Sequence, residues 1–205
     1  MTVSQLRGPV CKVFWAYFLI YIDFNLGTLS ILPAWAGYLM LYFLLNTLGT
    51  EQPTLKLLRP FALALAANAV YEWLDKAFGG GLPDLPGWMA LAVGLVTMYF
   101  HFQLFTDLAD LARRRGIDPV NGGLEGGASQ QNPPPPCRVR GLLNARTLQA
   151  LLHTVLLIDP LMRWLQSREA LLFVTLAVYI AVLFVILYQL YALRRLFPEA
   201  EPAAA

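Results

Sequence analysis

Apolar positions in this chain fall into long blocks separated by short polar breaks. From Val13 to Leu48, about 36 residues are almost wholly apolar, interrupted by Asp23 and Asn25. One membrane-spanning helix needs about 20 residues at a rise of 1.5 Å, so this block is long enough for two, folded at Asn25–Thr28. The remaining blocks extend the pattern to an all-α transmembrane bundle of six spans in three hairpins. The first pairs Val10–Leu26 with Leu32–Leu48, the second Leu57–Leu74 with Pro86–Leu111, and the third Leu142–Leu165 with Ala170–Leu193. Gly49 and Pro53 end the second span, and the stretch Phe78–Asp84 is a turn. Residues 113–141, rich in Gly, Pro and Arg, predict a flexible linker between the first two hairpins (residues 1–112) and the third (residues 142–197). Residues 198–205 read as a disordered tail.

Composition agrees with that pattern. The 205 residues are 58% hydrophobic and 14% charged, and mean hydropathy is +0.55, whereas soluble domains are nearer half apolar and a quarter charged. A net charge of +2 gives no basis for nucleic-acid binding. Cys11 and Cys137 lack metal or C-x-x-C spacing and are expected to stay unbridged. Arg7 and Lys12 before an apolar run give the outline of a signal peptide. No small-residue cleavage site follows, and the run continues into a second span, so the segment is expected to be retained.

Charge placement sets the expected orientation. With the N-terminus cytoplasmic, the inner segments hold Arg7, Lys12, Lys56, Arg59, Arg113, Arg114, Arg115, Arg138, Arg140, Arg146, Arg194 and Arg195, and the outer turns only Lys76, Arg163 and Arg168. That bias predicts both termini and the linker in the cytoplasm. A five-span arrangement with a re-entrant first segment is the alternative; it would place Arg194 and Arg195 outside.

The second and fourth spans both open L-P-x-x-x-G-aromatic, at Leu32–Tyr38 and Leu82–Trp88. Duplication of a hairpin and shared helix-start chemistry, with Pro in a first turn, both account for the echo.

Three groups of residues are candidates for chemistry. Asp23, Asp75 and Asp159, with Glu72 and Asp84, fall at the outer face in this topology. If they converge they form an ion, proton or substrate site, and otherwise they cap turns or pair with local cations. His101 and His153 fall at one depth on antiparallel spans, the placement that bis-histidine ligation of haem b requires. The alternative is interhelical hydrogen bonding to Gln103, Gln149 or Thr154. Asp107 and Asp110 precede Arg113, Arg114 and Arg115, a cluster suited to local ion pairs and to anionic lipid headgroups. Ala62, Ala66 and Ala69, Ala90 with Gly94, and Ala177 with Ala181 predict close helix packing and a homodimer or membrane partner. Mid-span Asn68 is expected to hydrogen-bond to a neighbouring helix. No metal-ligand set, H-E-x-x-H, G-x-S-x-G, P-loop or Rossmann glycine pattern is present, so no catalytic set is identified.

At Ile31–Tyr38, preceded by Asp23-x-Asn25-x-Gly27, the chain resembles a group of uncharacterised bacterial, Clostridia-type multi-pass membrane proteins with an I-N-L-G…I-L-P-D-x-x-G-Y hairpin. Ala34 stands where that pattern has an acid. The resemblance implies a fold and a bacterial cytoplasmic-membrane location, and no activity. The leading expectation is a non-enzymatic accessory or scaffold protein. A small ion-coupled transporter and a haem-bearing redox subunit are the alternatives.

Overall fold

The computed structural model describes residues 3–22, 25–26, 29–30, 33–83, 86–114, 138–158 and 169–196. Asp23, Asp84, Arg115, Cys137, Asp159, most of the linker and the tail lie outside the described residues. The described chain is helical apart from one two-residue strand pair. In chain order it forms α1 (Val3–Tyr21), β1 (Asn25–Leu26), β2 (Leu29–Ser30), α2 (Ala34–Leu48), α3 (Pro53–Leu57), α4 (Arg59–Ala77), α5 (Gly87–Arg114), α6 (Arg138–Leu157) and α7 (Glu169–Leu196).

The first helix differs from the Val10–Leu26 span expected of it. It starts at Val3 and ends at Tyr21, and β1 pairs antiparallel with β2, Asn25 opposite Ser30. Asp, Asn, Gly and Thr within a few residues favour turn chemistry over helix continuation. Pro33 then caps α2 in an extended conformation. At the second hairpin, Gly79 and Gly80 have φ of 74° and 78°, a left-handed pair that only glycine adopts without strain.

Each long helix packs on the next: α1 on α2, α2 on α4, α4 on α5, α5 on α6 and α6 on α7, and α7 returns to α1. The result is a closed ring. Neighbours run antiparallel, as cross-contacts show: Trp35 of α2 meets Trp73 of α4 while Arg59 donates to Asn46 at 3.3 Å, and Phe14 of α1 meets Tyr191 of α7. The expected Ala62, Ala66 and Ala69 face is buried, whereas Ala177 and Ala181 are exposed.

The two ends of the ring are built differently. Toward the end that holds Val3 and Leu196, side chains interdigitate around Leu6, Val13, Leu45, Leu104, Phe105, Leu142 and Leu190, all buried. Toward the hairpin tips, α5 buries no side chain before Phe100, α6 none after Ala145 and α7 none before Val182, among the described residues. Large apolar side chains there are exposed, including Trp88, Leu91, Leu95, Leu151, Phe173 and Leu176. Apolar surface of that kind is rare on a soluble monomer and suits contact with lipid. α5 and the Phe173–Arg195 part of α7 are each long and apolar enough to cross a membrane, and α2 is apolar but only 15 residues long.

The two halves of the L-P-x-x-x-G echo have different structural roles. A Cβ on Gly37 would lie 2.6 Å from the Ala16 carbonyl oxygen and 2.6 Å from Ile20 Cγ1, so α1 and α2 cross where only glycine fits. A Cβ on Gly87 would meet nothing within 4 Å. The prolines differ too: Pro33 directly precedes α2, whereas its counterpart Pro83 lies four residues before α5 begins at Gly87.

Candidate functional site

The ring leaves space at its centre. A cavity of about 240 Å3 is lined by side chains from all six long helices. Tyr21 reaches it from α1, Tyr38 from α2, Asn68 and Glu72 from α4. Thr97 and His101 come from α5, His153 from α6 and Tyr179 from α7. Successive turns of antiparallel helices place these residues at one level near the transition from the packed half to the open half.

His101 forms the floor. Its side chain is 3% exposed, and Nδ1 shares a hydrogen bond of 2.6 Å with the Tyr17 hydroxyl across the ring. Aromatic rings enclose the imidazole: Tyr17, Phe100, Tyr21 and Tyr38 have centroids 5.3, 5.4, 5.8 and 6.2 Å away. The other nitrogen, Nε2, is buried without a hydrogen-bond partner. A buried polar atom left unpaired costs about 1–3 kcal/mol, and His101 is a residue of the cavity wall. His101 and His153 also line a second space of about 10 Å3, shared with Arg146 and Gln149. Arg146 Nε and Gln149 Oε1 likewise lack partners, while Gln149 Nε2 donates to the Tyr21 hydroxyl.

Glu72 is the carboxylate of the central cavity. Asn68 Nδ2 donates to Glu72 Oε1 at 2.7 Å, so Asn68 bonds one turn along its own helix rather than to a neighbour. Glu72 and Tyr179 both lie within electrostatic reach of the Tyr38 hydroxyl.

Of the three expected acids, Asp75 is described, and it has a structural task. Its Oδ1 accepts from the Leu82 backbone N–H at 3.1 Å, which ties down the glycine turn. Asp23 and Asp159 lie outside the described residues. At the packed end, Asp110 lies 3.6 Å from Arg113, both exposed, and Arg114 is also exposed. Asp107 behaves differently from Asp110. It is 2% exposed and accepts from Gln103 Nε2 at 2.9 Å, with Thr54 and Gln52 of the α2–α4 corner against it.

The cavity is small. Its volume of about 240 Å3 lies below the roughly 300–1,000 Å3 of pockets for drug-sized ligands, and a porphyrin exceeds the lower bound. Among the described residues, no three His, Cys, Asp or Glu side chains come together as a metal ion would need.

Comparison with protein-family models, with curated proteins and with solved structures finds no match to this chain.

Proposed function

We propose that this protein is a six-span carrier of a bacterial cytoplasmic membrane that binds a small polar solute at the centre of its helical ring. The observation that carries the reading is the cavity of about 240 Å3 to which every long helix contributes. A scaffold that works through its outer surface has no need of such a space, and filling it with apolar side chains would add stability. The charge bias puts the termini and linker in the cytoplasm, so the open half of the ring faces outward and the packed half closes the inner side. Carriers work by exposing one central site alternately to the two sides, and a bundle sealed at one end and splayed at the other has the form of one of the two states.

Cysteine accessibility tests this without knowledge of the solute. In a Cys11→Ser, Cys137→Ser background, Thr97→Cys places a thiol on the cavity wall, and the Thr97 hydroxyl donates to Val93 O of its own helix, at 2.8 Å. A membrane-impermeant thiol reagent is expected to label Thr97→Cys from outside intact cells and, more slowly, from the cytoplasmic side in inverted vesicles. Labelling from one side only would overturn the carrier and return the scaffold reading. A Soret band on the purified protein would restore the haem reading.

A further inference from the structure

We infer that the central cavity binds a small organic ammonium ion, caged by Tyr21, Tyr38 and Tyr179 and counter-charged by Glu72. The inference rests on the reading of this cavity as a solute site and names the solute's class. The first ground is electrostatic. Among the described residues, Glu72 is the one acid on the cavity wall, and no lysine or arginine joins it there. An anionic solute would meet a like charge and an electron-rich wall.

The second ground is the wall itself. Tyr21, Tyr38 and Tyr179 come from three different helices, α1, α2 and α7, and line the same space. Tyrosine faces carry negative charge density, and an ammonium group set among several of them is held without needing directed hydrogen bonds. Tyr38 is the link between ring wall and carboxylate, since Glu72 and Tyr179 both lie within electrostatic reach of it.

The third ground is the floor. His101 Nε2 is buried and unpartnered on this wall. When Nδ1 carries the proton and donates it to the Tyr17 oxygen, Nε2 is left as an unused acceptor for an N–H or O–H of a guest that reaches it. A space of about 240 Å3 limits that guest to a few carbon atoms around the charge.

Isothermal titration of the purified full-length chain tests the inference, with choline as probe and 3,3-dimethyl-1-butanol as its uncharged isostere. Choline is expected to bind about tenfold or more tightly than the isostere, as a desolvated cation–π site predicts. E72Q keeps an oxygen for Asn68 and is expected to weaken choline binding about tenfold without changing the isostere. Tyr179→Leu removes one ring from an exposed position and provides a second variant, expected to weaken choline about threefold to tenfold. Equal affinity for choline and isostere, no choline binding, or binding unaffected by either substitution overturns the inference. If choline fails while Thr97→Cys is still labelled from both sides, the carrier stands with a different solute. If choline binds and labelling is one-sided, the site is right and the carrier is wrong.

Discussion

The packed half of the ring and the open half are made from the same helices, yet they follow different rules. At the packed end, Leu6, Leu45, Phe105 and Leu190 are within 1% of complete burial, and each long helix packs on two neighbours in the ring. At the open end, apolar side chains of α5, α6 and α7 face outward, and the inward positions go to Tyr21, Tyr38, Asn68, Glu72 and His153. Within a bilayer no hydrophobic force draws helices together, since lipid is as apolar as leucine; close packing and hydrogen bonds must do so. The packed end has the interdigitation that supplies this. The open end has hydrogen bonds and space, the combination that lets a site change shape.

The contrast can be broken or sharpened by substitution, most severely at the α1–α2 crossing. Gly37→Val forces a branched side chain into contacts of 2.6 Å with backbone and with Ile20. It is expected to cost about 3 kcal/mol or more by overpacking, seen as loss of monodisperse protein after detergent extraction, while Gly87→Val leaves yield unchanged. Phe105→Ala, in the packed half, is expected to cost about 3 kcal/mol through the cavity it opens, measured as a lowered midpoint in thermal unfolding. A midpoint equal to wild type would mean that the two halves do not differ in rigidity. At the boundary, Tyr17→Phe deletes the hydroxyl that meets His101 Nδ1 at 2.6 Å and is expected to cost about 1 kcal/mol. The smallest effect belongs to Phe173→Ala, at a residue 71% exposed, expected to stay within about 0.5 kcal/mol of wild type. A larger loss there would reveal that this surface packs on protein rather than lipid.

Much of the ring was legible in the apolar blocks, because a helix surrounded by apolar partners leaves a continuous signal in the sequence. α2, α4, α5 and α7 begin and end within about three residues of the blocks that predicted them. α1 was harder to place, since Arg7 and Lys12 hide its first turns and Asn25, near the end of the expected span, belongs to β1. The site was legible only in part. Equal depth on antiparallel spans brought His101 and His153 to attention, and both line the cavity. Tyr21, Tyr38 and Tyr179 gave no signal, because a tyrosine in an apolar run has the same pattern whether it anchors at an interface or faces inward. Asp107 was hidden by its neighbours: three residues before Asp110 and close to an arginine cluster, it has the sequence of a surface ion pair. Gln52 and Thr54, distant in sequence, lie against it.

A closed ring also has a consequence for how the protein is made. Because α7 returns to α1, α1 gains its second neighbour only once α7 has been made. Until then α1 packs on α2 alone, and Phe14 lacks the Tyr191 ring it meets in the closed ring. Closure therefore ties together the two ends of the described helix series.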